Sequence, residues 1–458
     1  MKYQGATLFI REETRMRSTK TSAHLFELAR SVIPDAVSSP MRAFQQVGGN
    51  PICFATAKGS KITDVDGNVY TDFLNAFGAL LLGHGREEVS AAISRQAAQG
   101  SVVGLTSPLE HQLAQRIVAS TPAIEQIRFV CSGTEAVMTA TRIARAHTGK
   151  DLLVKFVGSY HGHSDVLLAT PSTNGIKTKG VTQGISPNLG RETLLCQYND
   201  ASQLKSLFKE HGANIAAVIV EPYATNMGFV RPQEGFMELI RLLCDQHEAL
   251  FIFDEVVTGF RFTFGGICNL MDIDPDLVTF GKIIGGGTPI GAYAGKERFM
   301  RHVAIGNSVF QSGTFAGNPL TMAAANAALD VLEQPGFYEE IERKGQVLDN
   351  AIRAEFNANN IPFLFTRFGA LAGVAFRDST RAMKSYQDVK NQHYEVYTKT
   401  HQLMLDRGFL MAPSLEEPIF LSAAHSDQDL RNFAAALGES IGEALAAHRQ
   451  AFPVLLPF

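Results

Sequence analysis

The chain of 458 residues has no tryptophan, only five cysteines and no excess of basic residues. Cys53, Cys131, Cys196, Cys244 and Cys268 are odd in number, far apart and never in a C-x-x-C pair. Neither a disulfide framework nor a zinc site is suggested, and a reducing compartment fits. Lys and Arg number 41 against 45 Asp and Glu, a formal net charge of -4, so the basic surface that nucleic acid requires is lacking. No run of about 18 or more apolar residues is present to span a bilayer. The first residues, MKYQGATLFIREETRMRSTK, contain no long apolar core. Arg11, Arg15 and Arg17 with nearby Ser and Thr faintly resemble a transit peptide, but Glu12 and Glu13 interrupt the pattern, and the expected location is the cytoplasm. No period of roughly 20 to 50 residues repeats, which argues against solenoids and propellers.

What remains is a composition of 45% hydrophobic and 19% charged residues, ordinary for a folded enzyme of more than one domain. From about residue 105 to 330, the short apolar runs IRFV, LLVKFVG, AAVIVEP, LFIFDE and DLVTFGK are separated by amphipathic or loop-like sequence. That alternation predicts parallel strands with crossover helices, an α/β domain. Near the N-terminus, KITDVDGNVYTDF reads as a hairpin turning at Asp66-Gly67. Beyond about 335, a charged helix (FYEEIERKGQVLDNAIRAEFNANN), strands around GALAGVAF and PIFLSAA, and a final helix opening at Ser426-x-x-Asp429 suggest a smaller α+β domain. The expected division is an N-terminal segment 1–75 belonging to the small domain, a large α/β domain 76–335 and a C-terminal small domain 336–458.

Ligands of α/β sheets bind at the carboxyl ends of the strands, where this chain places polar residues. In RFVCSGTEAVMTATRIARAHTG a strand passes through Ser132, Gly133 and Thr134 into a helix. Small residues there either cap the helix or leave its first amides free to hold a phosphate. LFIFDEVVTG ends a buried strand with Asp254 and Glu255, carboxylates that need a salt bridge, a cap or a protonated heterocyclic nitrogen. Lys282 ends the next strand, followed by Gly285, Gly286 and Gly287. It is either a snorkelling lysine before a glycine turn or an amine whose partly dry site suits it to a Schiff base. An anion cradle, an acidic strand end and a lysine strand end in that order are what pyridoxal phosphate requires for its phosphate, its pyridinium nitrogen and its aldehyde.

These stretches, with SSPMRAF, KFVGSYHGHSD, EPYATNMGFV, DLVTFGKIIGGGTPIGA and SGTFAGNPLTMAAA, resemble the class III, fold-type I pyridoxal-phosphate aminotransferases from about Ser39 to Ser422. Within that family the resemblance is greatest to the glutamate-1-semialdehyde 2,1-aminomutase branch. It implies that Lys282 is the Schiff-base lysine and proton shuttle, that Asp254 pairs with the pyridine nitrogen, and that Ser132, Gly133 and Thr134 hold the phosphate. Tyr160 and Val256 would flank the ring, with His161, Glu221 and Asn226 close by. Ser39 and Arg42 would bind the substrate carboxylate, and Glu417 would stand near the substrate entrance. A homodimer is also implied, in which Thr314 reaches the phosphate of the neighbouring subunit's cofactor.

The resemblance departs from the aminomutase around the substrate. The Ser-Trp-Gly-Pro stretch of that branch is AFGA here, with Phe77 in place of tryptophan. The stretch after His163 lacks the glycine- and serine-rich gating loop, and Glu416, Pro418 and Ile419 replace aromatic and small residues. An aminomutase must enclose its diamino intermediate, so a changed lid implies ordinary two-substrate transamination through pyridoxamine phosphate, with aminomutase activity as the alternative. A further alternative is a metal-dependent hydrolase using His161, His163 and Asp165 with His302. It leaves Asp254, the cradle and the glycines unexplained. A non-catalytic binding protein is disfavoured by the presence of both Lys282 and Asp254.

Overall fold

The computed structural model describes residues 17–168, 183–379 and 381–451. The arginines Arg11 and Arg15 and residues 169–182 of the altered stretch after His163 lie outside the described residues. Among the described residues fourteen strands follow one another: β1 (Phe54–Lys58), β2 (Lys61–Asp64), β3 (Val69–Asp72), β4 (Gln126–Val130), β5 (Leu152–Phe156), β6 (Thr193–Cys196), β7 (Ile215–Val220), β8 (Leu250–Glu255), β9 (Leu277–Gly281), β10 (Gly291–Gly295), β11 (Leu364–Phe368), β12 (Leu371–Ala375), β13 (Phe409–Leu410) and β14 (Ile419–Phe420).

The central sheet has the order β4-β10-β9-β8-β7-β5-β6. β10 runs antiparallel to both β4 and β9, and every other pair is parallel. The carboxyl ends of β4 through β9 therefore face one way. β7 and β8 are buried at every residue, which explains their unbroken apolar runs, since helices cover both faces of such a sheet. Among those helices, Gly133–Thr148 buries Ala136, Val137, Ala140, Ile143 and Ala144, one stripe at helical spacing. It ends at Gly149, whose φ of +67° and N–H bond to the Arg145 carbonyl close the last turn.

The hairpin expected at Asp66-Gly67 is β2–β3, and Phe409 of β13 pairs in parallel with Thr71 of β3, so residues far apart in sequence share this sheet. A third sheet, β11-β12-β14, lies with the helices Phe337–Ala358 and Asp427–Ala451. Ser426 and Asp429 form the reciprocal cap that their spacing indicated, with bonds of 3.0 and 3.1 Å. β6 and β10 are strands that sequence reasoning did not find. The described helices include none long and apolar enough to cross a membrane.

Candidate active site

The ends of the aligned strands converge on a cavity of about 420 Å³ lined by Ser132, Gly133, Thr134, Tyr160, His161, Glu221, Asn226, Asp254, Val256 and Lys282 among others. At its β4 side the Ser132 stretch caps the helix and leaves the next two amides free. Ser132 is the cap: its hydroxyl accepts from the Glu135 amide at 3.3 Å, while the Glu135 carboxylate accepts from the Cys131 amide at 2.8 Å. The amides of Gly133 and Thr134 donate to no atom among the described residues, and so stay available to an anion at the positive end of a helix. The Tyr160–His163 loop closes over this helix start through Gly162. Its φ is +78°, and a Cβ there would lie 2.6 Å from Thr134 Oγ1 and 2.7 Å from Thr134 Cα, so a side chain is excluded.

The two carboxylates that end β8 point to opposite faces, as successive strand residues must. Asp254 meets the cavity. Its Oδ2 lies 2.6 Å from His161 Nδ1, and its Oδ1 accepts from Thr279 Oγ1 at 3.0 Å and the Val256 amide at 3.1 Å. Glu255 has no cation beside it among the described residues and accepts from the Ile267 and Cys268 amides at 2.7 and 3.2 Å, capping the short helix Cys268–Met271. Burial pushes its carboxyl up to about 7. Val256 wedges between strand and helix: a Cβ on Gly133 would lie 3.0 Å from its methyl group.

Lys282 holds φ at +48°, a left-handed conformation that costs a non-glycine residue roughly 1–3 kcal/mol and concentrates at functional sites. Burial pulls its amine below the usual lysine range, the Arg261 charge adds to this, and Glu417, Glu221 and Asp254 oppose it. Depression of an amine's pKa favours its neutral form, which is the nucleophilic and proton-accepting one. Glu221 is buried and committed, accepting from the Tyr160 amide at 3.1 Å, Thr225 Oγ1 at 2.8 Å and Asn226 Nδ2 at 2.9 Å. Glu417 does not line the cavity but is close enough to Lys282 to be its foremost charged neighbour. Burial raises Glu417 to about 7; Lys282 opposes the rise, and Glu221 and Glu416 reinforce it.

Other expected residues stand apart in the single chain. Ser39 and Arg42 lie on the turn Pro40–Ala43, Arg42 exposed, and neither lines the cavity. Phe77 is half-buried in a left-handed turn whose neighbour Ala79 does line it. Thr314 is exposed. The metal reading is corrected: His161 is engaged by Asp254, His163 stands 3.2 Å from Thr134 Oγ1, and His302 pairs with His147 at the far end of the helix Gly133–Thr148. No group of three or more His, Cys, Asp or Glu among the described residues could hold a metal ion. Sequence reasoning missed Thr279 and Arg261. Thr279 was findable, three residues before Lys282 on the strand beside Asp254; Arg261 showed only as a charge in an apolar stretch.

Two amides for an anion, a hydrogen-bonded carboxylate for a protonated ring nitrogen and a depressed amine for an aldehyde fit pyridoxal 5′-phosphate. Comparison with known proteins agrees. Residues 44–433 match the family model described as aminotransferase class-III. The glutamate-1-semialdehyde 2,1-aminomutase of Desulforapulum autotrophicum is 42% identical over 417 residues, covering 91% of this chain and 96% of its own. An omega-transaminase from Sphaerobacter thermophilus superposes with a TM-score of 0.85 at 28% identity, covering 93% of this chain and 98% of its own. A glutamate-1-semialdehyde-aminomutase from Pseudomonas aeruginosa PAO1 superposes with a TM-score of 0.83 at 25% identity, covering 93% and 95%.

Proposed function

From its membership of the class III aminotransferases, the family to which this chain belongs, we propose that the enzyme carries an amino group from an amino acid or related carboxylate-bearing amine to a separate carbonyl acceptor. The enzyme depends on pyridoxal 5′-phosphate, which when bound supplies an electron sink for chemistry at the substrate carbon. The Lys282 amine moves the proton at that carbon. Asp254, oriented by His161 and Thr279, keeps the ring nitrogen protonated. The Gly133 and Thr134 amides, after the Ser132 cap, hold the phosphate. Tyr160 and Val256, which line the cavity, would flank the ring, while Glu221 and Asn226 hold the adjoining loop together. Ser39 and Arg42, which stand apart from the cavity in the single chain, are the residues that the family resemblance assigns to the substrate carboxylate, with Phe77 and Glu417 beside it.

The observation that carries two-substrate transfer is the substrate-side wall at Ala76–Ala79, where AFGA stands in place of the aminomutase's Ser-Trp-Gly-Pro. The second reading, aminomutase activity, is favoured by the 42% identity to an aminomutase. Spectral titration of the holoenzyme with amino acids, amines and glutamate-1-semialdehyde separates them. Loss of the visible cofactor band with an amino acid, restored by a keto acid, is expected. Conversion of glutamate-1-semialdehyde to 5-aminolevulinate without an added donor, faster than any two-substrate transfer, overturns the ordering.

The assembly is a homodimer in this reading, supported by the exposure of Ile305, Phe310 and Phe315, close in sequence to Thr314, in the single chain. It works in the cytoplasm. Residues 76–335 form its large domain, with 1–75 and 336–458 together forming the small one, a division supported by the β3–β13 pairing.

A further inference from the structure

Arg261 is fully buried and has no carboxylate partner among the described residues. A buried charge of this kind is costly unless its hydrogen bonds hold something in place. Its Nε donates to the Val257 carbonyl at 2.8 Å, its Nη2 donates to the Gly78 carbonyl, and its guanidinium lies 5.3 Å from the centre of the Phe420 ring. Arg261 thus joins two walls of the cavity, since Val257 and Ala79 both line it.

The turn that Arg261 grips is strained. Asn75, Ala76 and Phe77 take φ of +45°, +52° and +55° in succession, each unfavourable without glycine, and Gly78 follows at +86°. Such a course persists only where surroundings over-determine it. Three contacts do so here. The Asn75 amide donates to Asp72 Oδ1 at 3.0 Å, Asn75 Nδ2 donates to the Phe420 carbonyl at 2.7 Å, and Arg261 takes the far end. A Cβ on Gly78 would lie 2.5 Å from the Phe420 ring and 2.7 Å from Arg261 Nη2, so the guanidinium packs against the bare backbone.

We propose that Arg261 is a positioning residue for donor binding: by holding the Gly78 carbonyl it keeps the strained Asn75–Ala79 turn in place and Ala79 in the cavity wall. The inference rests on the amino-transfer reading for its consequence, and on the geometry of the turn for its mechanism. The planar, two-sided guanidinium suits this task, because Val257 and Gly78 must be held at once.

The test compares holoenzyme with Arg261→Met and Arg261→Lys. Loosening the turn is expected to make native-state chymotrypsin cleavage after Phe77 about tenfold faster in Arg261→Met, because cleavage follows local opening. KM for the best donor of the titration panel is expected to rise about fivefold, a larger change than that in kcat, which moves only as far as loss of the Arg261 charge lets the Lys282 amine return toward its ordinary range. Arg261→Lys, which keeps the charge, is expected to fall between, and carries both measurements if the Met variant does not fold. A lowered melting temperature with unchanged KM and cleavage overturns the proposal, leaving a purely structural arginine. A loss of kcat and a shifted cofactor band at unchanged KM also overturns it, by placing the effect on Lys282. If no donor bleaches the wild-type band, the amino-transfer reading fails, while cleavage at Phe77 still decides whether Arg261 holds the turn.

Discussion

His161 Nδ1 lies 2.6 Å from Asp254 Oδ2, and both side chains are buried. A charge-assisted bond of this kind contributes roughly 1.5–3 kcal/mol, and here it also fixes the carboxylate that faces the cavity and that we propose for the cofactor ring. Its removal frees Asp254 to rotate about the remaining bonds from Thr279 and Val256. His161→Ala is expected to weaken pyridoxal phosphate binding by about 10- to 100-fold, the equivalent of that bond. His161→Gln, which retains a donor, is expected to recover part of the loss. Absorbance titration of the apoprotein with cofactor measures both, and unchanged affinity in the Ala variant counts against the role.

The left-handed φ of +48° at Lys282 belongs to the backbone turn and persists whatever the side chain, so truncation tests the amine alone. Lys282→Ala is expected to fold, with a melting temperature near that of wild-type apoprotein, because a desolvated amine is removed rather than a packed group. Amino transfer is expected to fall by at least about 10²–10⁴-fold, the range for a lost acid-base group. Steady-state assays and calorimetry check the two halves. Retention of transfer at the wild-type rate assigns the proton step elsewhere.

The parts of this site that were legible in the sequence are those where chemistry and backbone pattern coincide. β8 and β9 read as strands because every residue is buried, so Asp254 and Lys282 stood out as charges at the ends of apolar runs. β10 was hidden for the opposite reason. Gly291 opens it because a Cβ there would lie 2.0 Å from the Ser132 carbonyl, and glycine weakens the strand signal that the close crossing requires. Glu255 was paired with Asp254 by adjacency alone, and only the sheet separates them onto opposite faces. Arg261 showed only as a charge in an apolar stretch, since its partners Gly78 and Phe420 lie 183 and 159 positions away.

Burial places the Glu255 carboxyl at about 7, above its ordinary value of 4.5, with backbone amides opposing the shift. The neutral form is therefore favoured in the fold. Its stabilising contribution is full below about 4.5 and is lost as pH rises through 7, an effect on the order of 3 kcal/mol for a shift of this size. Glu255→Gln keeps an acceptor for the helix Cys268–Met271 but cannot ionise. The fall in melting temperature of the apoprotein from acidic to alkaline pH is expected to be smaller in Glu255→Gln than in wild type. Parallel pH curves for the two proteins assign the dependence to other groups.

The placement of Thr314 predicts how damaged subunits repair one another. Thr314 is exposed in the single chain, close in sequence to Phe310 at 81% and Phe315 at 60% exposure, an apolar surface that the proposed homodimer would cover. If the Thr314 hydroxyl serves the partner's cofactor, a hybrid of a Lys282→Ala chain with a Thr314→Val chain contains one site with both residues intact. Each parent homodimer lacks one of them at every site. At limiting cofactor, where Thr314→Val is impaired, a refolded equal mixture is expected to regain about a quarter of wild-type activity, half the dimers being hybrids with one working site in two. If Thr314 serves its own chain, the intact lysine and the intact threonine never meet, and mixing gives only the average of the parents.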